Sequence, residues 1–471
     1  MKLAVTADLH LTARRDTSQY AALSRAADRI REEKPDAVIS LGDMTAAGDV
    51  RAAEAFFEVF ASLPFPRLFL PGNADLRSEE SAKALPLLRE GETLEIGGYR
   101  LIGLDSSRGE LDGASERLLE TADERTLVFL HHPPKNLLAG EKREKLARCP
   151  AVVYGHIHRY ERTGNEISVP AMDPDKAMGG PPALTWLTVG EGDVKVRTEP
   201  LFDFGPVSIE EYAGVSAFDT GTVLWAGERG VKSIQLRPNS PGWERKPLLE
   251  ALALWREKGG KYLSLHMPEY GEGTDPEEMA RSVAFAGLIG VNGVTFHVPK
   301  ISLGEYPGRK DGLRDTLAAA IARLPENAAV GIENLHMNSR DRDGPDRRYG
   351  YLPEECLAFS DEVNSLFGGE RTGITLDVGH ARNNLPYSAR VPVGDWYPAV
   401  GKRIREYHLH QVSLTEKGME DHKPLESVYG PMISYVGFSW CWNHGILSHK
   451  PAFLEIRGDC RASYERFLSG R

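Results

Sequence analysis

The sequence lacks the features of a secreted or membrane-bound protein. Its 471 residues include only four cysteines, Cys149, Cys356, Cys441 and Cys460. Because these are scattered and not paired at short spacings, they indicate neither a disulfide framework nor a thiolate zinc site. No apolar run is long enough for a signal peptide or a membrane span, so we expect a cytoplasmic protein without a membrane partner.

A basic excess is also missing. The formal net charge is −11, and neither half of the chain has more Lys and Arg than Asp and Glu. Strong non-specific binding of nucleic acid depends on basic side chains that neutralise phosphates, so we do not expect it here. A nucleic-acid substrate is still compatible with this charge, because bound divalent metals supply positive charge that formal counting omits.

The length predicts two domains, which we place at residues 1–204 and 205–471. In the first, short apolar runs alternate with helical patterns, as in layered α/β domains. Each run leads into residues that bind cations: Asp8 and His10, Asp43, Asn73, His131 and His132, and His156 and His158. One such residue alone is usually a solvated loop residue. Five coincidences in order indicate a metal site at the rim where the strands end.

Carboxylate, amide and imidazole donors of this kind suit Mn, Fe or Zn. One carboxylate can bridge two such cations, and a pair of cations can clamp a phosphate group. The sequence therefore predicts two divalent metals in the first domain and a phosphoester as substrate.

The order Asp-x-His, Gly-Asp, Gly-Asn, His and Gly-His-x-His resembles that of the calcineurin-like metallophosphoesterase family, over the first third of the chain. The resemblance implies an αββα sandwich with one metal at Asp8, His10 and His158 and a second at Asn73, His131 and His156. Asp43 would bridge the two. The resemblance also implies a catalytic role for Asn73, and it favours His131 over His132 as the ligand, which leaves His132 for substrate binding.

One position departs from the family, because Ala74 stands where its members have a histidine. In the family that histidine is associated with help to the leaving group, and losing general-acid assistance typically costs ~10²–10⁴-fold in rate. Alanine has no proton to donate. We therefore expect hydrolysis of phosphodiesters, or a substrate-assisted reaction, and not broad monoesterase activity.

From residue 205 onward, strand-like runs alternate eight times with helical patterns. The predicted strands are Gly214–Phe218, Lys232–Leu236, Tyr262–His266, Gly293–His297, Ala329–Glu333, Gly373–Asp377, Glu406–His410 and Ala452–Ile456. Eight such units are the number in a (β/α)₈ TIM barrel, whose active site lies at the carboxyl ends of the strands.

Those strand ends hold many metal-binding residues. They are His266, His297, Glu333, Asp377, His380, His408 and Glu455, and His422 follows in a loop. A single histidine of this kind is more often a hydrogen-bonded structural residue than a ligand. Burying the whole set at one rim would be costly without cations to pair it, so we predict a second metal site.

This set resembles the family of endonuclease-IV-type apurinic endonucleases and xylose-isomerase-like epimerases. Glu333, Asp377, His408 and Glu455 alone would fit the epimerases, which hold one metal. The additional histidines, His266, His297, His380 and His422, match the set that holds three zinc ions in the endonuclease branch. The resemblance therefore implies one to three divalent metals, with zinc foremost.

Two roles follow from the same resemblance. Glu333 and Glu455 would be catalytic, because they would bridge metals and position the attacking nucleophile. A further aspartate of the endonuclease pattern, two residues before the loop histidine, falls at Glu420, and Asp421 lies beside it.

Two phosphoester-type metal sites predict a bifunctional hydrolase that cleaves phosphodiester bonds in a nucleic-acid end, a nucleotide or a cyclic nucleotide. A competing interpretation is sugar-phosphate salvage, in which the first domain removes phosphate and the barrel isomerises the product. A third is a metal-binding scaffold with a degenerate phosphoesterase, which Ala74 motivates. Three metals in the barrel would favour hydrolysis and one would favour isomerisation, and the sequence predicts no oligomeric state.

Overall fold

The computed structural model describes residues 1–190, 193–337, 344–384, 387–416 and 418–470. The chain forms two compact units, one of residues 1–205 and 429–440, the other of residues 206–428 and 441–471. This division differs from the predicted one chiefly because residues 429–440 belong to the first unit. The boundary at residue 204 stays a prediction for the functional domains.

The first unit contains two β-sheets. Its strands are β1 (Lys2–Thr6), β2 (Ala37–Ser40), β3 (Arg67–Phe69), β4 (Thr93–Ile96), β5 (Tyr99–Leu104), β6 (Thr126–Leu130), β7 (Ala151–Tyr154), β8 (Glu161–Thr163), β9 (Glu166–Ser168), β10 (Ala183–Gly190) and β11 (Asp193–Pro200). Its helices are α1 (Ser18–Glu33), α2 (Val50–Ala61), α3 (Ser81–Leu88), α4 (Gly113–Glu120), α5 (Pro134–Leu137) and α6 (Gly140–Arg148). The sheet orders are β11-β10-β1-β2-β3 and β4-β5-β6-β7-β9-β8.

Alternation along the strands gives each sheet two apolar faces. Leu3 and Val5 of β1 pack with Leu127 and Phe129 of β6 in one core cluster. Ala4, between them on β1, packs instead with residues of α1 and α2. Residues of α4 and α6 cover the other face of the second sheet in the same way. The layers therefore run helix, sheet, sheet, helix, which confirms the predicted sandwich.

The second unit is a closed barrel of eight parallel strands. Its strands are β12 (Ala213–Ala217), β13 (Ser233–Leu236), β14 (Tyr262–His266), β15 (Gly293–His297), β16 (Ala329–Glu333), β17 (Thr372–Asp377), β18 (Ile404–Leu409) and β21 (Ala452–Leu454), and β19 (Gln411–Thr415) and β20 (Gly418–Lys423) form a separate hairpin. Strand β21 pairs with both β12 and β18 and closes the barrel. The predicted TIM barrel is confirmed, and three of its strands have the predicted bounds.

Helices follow most barrel strands. They are α7 (Thr220–Arg229), α8 (Arg245–Glu257), α9 (Pro276–Ile289), α10 (Tyr306–Ile321), α11 (Pro353–Asn364), α12 (Val378–Arg382), α13 (Tyr387–Arg390), α14 (Val393–Val400) and α16 (Arg461–Ser469). Helix α15 (Val436–Asn443) begins in the segment 429–440 of the first unit. Among the helices of the described residues, none has the length and apolar character needed to cross a bilayer.

A buried carboxylate, Glu406 on β18, organises the barrel interior. Its Oε2 accepts hydrogen bonds from Ser264 Oγ at 2.9 Å, Thr295 Oγ1 at 2.7 Å and Gln235 Nε2 at 3.1 Å. Its Oε1 accepts one from the Tyr262 hydroxyl at 3.0 Å. Burial raises the pKa of Glu406. Four strands are thus joined through one side chain inside the barrel.

Candidate metal centres

Five predicted ligands of the first unit have a left-handed backbone conformation. They are Asp8 (φ 53°), His10 (φ 51°), Asp43 (φ 53°), His156 (φ 70°) and His158 (φ 59°). For residues other than glycine, such a conformation costs of order ~1–3 kcal/mol each and tends to occur at functional sites. All five lie just beyond β1, β2 or β7. Backbone strain is therefore concentrated where the carboxyl ends of these strands place the predicted ligands.

Asp43 lies between the two predicted ligand sets. Its Oδ2 is 3.4 Å from His10 Nε2, and its Oδ1 is 3.5 Å from His131 Nε2. The backbone N–H of Ala74 donates to Oδ1 at 2.6 Å. Gly72 permits this approach, because a Cβ there would lie 2.2 Å from Oδ1. Each carboxylate oxygen of Asp43 thus faces a different histidine, as a bridging ligand would.

One ligand set gathers around Asn73. Its Oδ1 is 3.0 Å from His131 Nε2, which is 3.2 Å from His156 Nδ1. His131 Nδ1 is 2.9 Å from the Leu41 carbonyl oxygen, which only accepts, so Nδ1 carries the proton and Nε2 a lone pair. A flipped Asn73 amide would donate to both histidines. In the orientation present, the amide oxygen faces two imidazole nitrogens. One amide oxygen and two imidazole nitrogens are a set of ligands that binds a divalent cation.

The other set contains Asp8, His10 and His158, whose candidate ligand atoms all lie within 4.8 Å of one another. His158 Nε2 is 3.6 Å from Asp8 Oδ1. The backbone N–H of His156 donates to Asp8 Oδ2 at 2.9 Å, which fixes the orientation of the carboxylate. The structure therefore brings together all seven predicted metal ligands of the first unit, and their roles as ligands stay a proposal.

Electrostatic effects differ within the first site: burial raises the pKa of Asp8 to about 6, whereas His156 and Asp43 shift toward the forms that bind a cation. Burial, together with His131 and His132, lowers the pKa of His156 to about 4. Burial opposes ionisation of Asp43, but His131 and His10 outweigh it and hold the pKa of Asp43 well below its usual range. At neutral pH His156 is therefore an uncharged donor and Asp43 an anion.

His132 lies beside the ligand histidines. Its ring centroid is 4.3 Å from that of His156 and 4.8 Å from that of His131. Unlike His131, which is fully buried, His132 is only partly buried. Its place at the edge of the cluster is compatible with the predicted substrate contact, and the choice of His131 as the ligand stays a prediction.

Sequence analysis missed Asp173, which is fully buried next to His10. Its Oδ2 is 3.3 Å from His10 Nδ1. Its Oδ1 accepts hydrogen bonds from Gln19 Nε2 at 2.8 Å and from the Asp175 backbone N–H at 2.9 Å. Ligand histidines commonly donate their second ring N–H to a carboxylate. Asp173 is placed to orient His10, and only its position in an Asp- and Gly-rich loop could have indicated it.

The segment 429–440 contacts the loop that carries Asp173. The backbone N–H of Ser434 donates to the Asp175 carbonyl at 2.9 Å, and the N–H of Gly179 donates to the Tyr429 carbonyl at 3.0 Å. A Cβ on Gly437 would lie 2.1 Å from Asp175 Oδ1. A glycine is therefore required where helix α15 meets this loop.

In the barrel, Glu333 lies at the centre of the predicted ligands. Its Oε2 is 3.0 Å from His266 Nε2 and 3.4 Å from His297 Nε2. Its Oε1 is 3.0 Å from His408 Nδ1, which is 2.8 Å from Glu455 Oε2. Glu333 thus has histidines on both sides, as the predicted bridging role requires.

A second group surrounds Asp377. The backbone N–H of His380 donates to Asp377 Oδ1 at 2.6 Å, and His380 Nδ1 is 3.6 Å from Oδ2. His410 Nε2 is 3.0 Å from Asp377 Oδ1. His380, His410 and His422 form one cluster of candidate ligands. His410 ends the predicted strand Glu406–His410, but it was not predicted to be a site residue.

The hairpin β19–β20 places Asp421, and not Glu420, at the site. Glu420 pairs with Lys423 at 2.5 Å. Asp421 Oδ1 is 3.4 Å from His422 Nδ1, and its Oδ2 is 3.1 Å from Nε2 of His336. Asp421 therefore lies among the candidate ligands, and the match of the family aspartate to Glu420 stays a prediction. His336 was not predicted.

Arg237 also reaches the barrel site. Its guanidinium forms an ion pair with Glu455 and lies over the Phe218 ring, 4.7 Å from the centroid. Arg237 directly follows β13, for which no site residue was predicted. A positive charge at this edge of the site could contact an anionic group of a substrate.

Several buried donor atoms are suited to cations. Among the described residues, Asp8 Oδ1 in the first unit and His380 Nε2 in the barrel have no hydrogen-bond partner. The buried oxygens Glu333 Oε2, Glu455 Oε2 and Asp421 Oδ2 face imidazole nitrogens at 3.0, 2.8 and 3.1 Å. Buried polar atoms are normally hydrogen-bonded, and unpaired buried carboxylates are costly. Divalent cations that accept oxygen and nitrogen ligands would satisfy these atoms. The residues present therefore fit metals in both units.

Several solved structures are similar to part of this chain. Endonuclease IV from Thermus thermophilus is 20% identical, covers 55% of this chain and 97% of its own, and has a TM-score of 0.39. A D-psicose 3-epimerase is 10% identical, with coverage of 55% and 96% and a TM-score of 0.38. An archaeal phosphodiesterase is 15% identical, with coverage of 42% and 100% and a TM-score of 0.27.

Sequence comparison concerns the first unit. Residues 1–160 match the family model of the calcineurin-like phosphoesterases. A curated protein of Arcobacter nitrofigilis, named as a probable glycerophosphodiester phosphodiesterase, is 32% identical over 28% of this chain, and the match spans 59% of that relative. Residues 1–160 are therefore similar to the calcineurin-like phosphoesterases, which confirms the resemblance seen in the motifs.

Proposed function

We propose that the first unit is a phosphodiesterase that requires two divalent cations, Mn, Fe or Zn. The observation that carries this proposal is Asp43, whose two oxygens face His10 on one side and His131 on the other. Bound in such a pair, divalent cations polarise a phosphoryl oxygen and activate water. Asp8, His10 and His158 would hold one cation, and Asn73, His131 and His156 the other.

Ala74 favours diesters over monoesters. Its side chain is fully buried and has no proton to give, so a poor leaving group would depart without help from this position. The name of the curated relative, a diesterase, supports the same choice. His132, which is partly exposed beside His156, would contact the substrate.

We propose that the barrel is a second hydrolytic centre, with zinc as its principal metal. The four additional histidines lie within the same site as Glu333, Asp377, His408 and Glu455, which supports more than one cation and hydrolysis over isomerisation. Glu333 and Glu455 would position the nucleophile, and Arg237 would contact an anionic substrate group. The substrate would be a phosphodiester in a nucleic-acid end, a nucleotide or a cyclic nucleotide, in the cytoplasm.

The test uses full-length protein stripped with a chelator and reloaded with Mn or Zn. Activity is measured on bis-p-nitrophenyl phosphate, on p-nitrophenyl phosphate and on abasic-site DNA, with Asp43→Ala and Glu333→Ala to silence each unit. We expect diester cleavage to be well above monoester cleavage, and to be lost in Asp43→Ala and retained in Glu333→Ala. Cleavage of DNA or of a nucleotide should instead be lost in Glu333→Ala and retained in Asp43→Ala. Monoester cleavage as fast as diester cleavage would overturn the proposal for the first unit. A sugar isomerase activity that is lost in Glu333→Ala would overturn the proposal for the barrel.

A further inference from the structure

His336 lies three residues beyond Glu333 and outside the motifs that carry the barrel resemblance. Its Nε2 is 3.1 Å from Asp421 Oδ2, and His380 Nε2 is 3.9 Å from the same oxygen. The two imidazole ring centroids are 4.9 Å apart. These three candidate ligand atoms all lie within 4.8 Å of one another.

Hydrogen bonds fix the tautomers of both histidines. His380 Nδ1 is 3.0 Å from the Asn334 carbonyl oxygen, and His336 Nδ1 is 3.3 Å from the Met337 carbonyl oxygen. Because a carbonyl only accepts, each Nδ1 carries a proton when the ring is neutral. Each Nε2 therefore presents a lone pair on the side of the ring that faces Asp421, as expected of a metal-binding histidine.

The two oxygens of Asp421 have different surroundings. Oδ1 is 2.9 Å from Arg457 Nη2 and 3.4 Å from His422 Nδ1. Oδ2 and His380 Nε2 are buried, and within the described ranges neither has a hydrogen-bond partner, although His336 is close to Oδ2. An ordinary ion pair between His336 and Asp421 would leave His380 Nε2 unsatisfied, whereas one cation would satisfy all three groups.

We propose that His336 is a direct ligand of a divalent cation that it holds together with His380 and Asp421. Two imidazole nitrogens and one carboxylate oxygen suit Zn²⁺, Co²⁺ and similar borderline ions. His422 Nδ1 is 3.4 Å from the other oxygen, Asp421 Oδ1, and His422 Nε2 is 3.5 Å from Glu455 Oε1. The inference rests on the proposal that the barrel binds cations.

The first experiment counts cations in holoenzyme by elemental analysis after dialysis against a graded series of zinc chelators. As the free zinc concentration falls, His336→Gln should lose one equivalent of zinc per chain before wild type does. The free zinc concentration at which this loss occurs should be at least about 10-fold higher for His336→Gln than for wild type. The matched control is His444→Gln, an exposed histidine, which should behave as wild type. Equal retention in His336→Gln and wild type would overturn the assignment of His336.

The second experiment separates this inference from the proposed function. In Glu333→Gln, a stoichiometry equal to wild type would mean that Glu333 holds no cation, and the proposed function of the barrel, which places Glu333 between cations, would fail. Loss in Glu333→Gln without loss in His336→Gln would remove only the present inference. As a spectroscopic check, His336→Cys reconstituted with Cd²⁺ should give a thiolate-to-metal charge-transfer band that His444→Cys lacks.

Discussion

Replacing Asp173 with asparagine tests whether this buried carboxylate positions His10. The substitution keeps the size of the side chain but removes the charge that lies 3.3 Å from His10 Nδ1. A hydrogen bond to a charged group contributes about 1.5–3 kcal/mol. If that free energy orients His10 for its cation, the loss corresponds to a roughly 10- to 100-fold weaker affinity, the range found for outer-shell carboxylates.

The assay is a competitive metal titration of the stripped protein with a chromophoric chelator, followed by diesterase activity at each metal concentration. We expect weaker binding at the first unit only and activity that recovers at high Mn²⁺. Asp193→Asn, an exposed site in the same unit, controls for the change in charge. A folded Asp173→Asn protein with wild-type affinity would refute the positioning role.

Three further predictions concern packing, buried hydrogen bonds and metal loss. Gly437→Ala should destabilise the first unit by about 1–3 kcal/mol in urea unfolding, because its Cβ would meet the Asp175 carboxylate; Gly205→Ala, which meets nothing within 4 Å, should not. Glu406→Leu should lower the free energy of unfolding by at least about 3 kcal/mol, because each buried donor left unpaired costs about 1–3 kcal/mol. Glu406→Gln should lower it less. A leucine variant as stable as wild type would contradict the hydrogen-bond network. Chelation should lower the Tm, and added Mn or Zn should restore it. At a free metal concentration of 1,000 times Kd, binding should add about 4 kcal/mol to the free energy of unfolding. An unchanged Tm would argue against occupied sites.

Much of the fold follows from local sequence. Apolar runs such as Tyr262–His266 and Ala329–Glu333 end abruptly in ligand residues, so the pattern gives both the strand and the place where it stops. The same regularity predicted most of the candidate ligands that the structure brings together, because parallel strands bring their carboxyl ends to one rim.

The positions that sequence analysis missed depend on tertiary contacts. Glu420 and Asp421 are both acidic, and only the register of the β19–β20 hairpin decides which one faces the site, since a shift of one residue reverses the direction of a side chain. His336 and Asp173 lie in irregular loops, where no periodic pattern indicates orientation.

The membership of residues 429–440 in the first unit has a consequence for biosynthesis. A ribosome that has finished residue 205 must add more than two hundred residues of barrel sequence before this segment exists. At about 5–20 residues per second, that delay is roughly 10 to 50 s. During this time the nascent phosphoesterase lacks the stretch of chain that contacts the Asp173 loop. A chain truncated within the barrel would therefore lack both the last barrel strand and the segment that contacts the Asp173 loop.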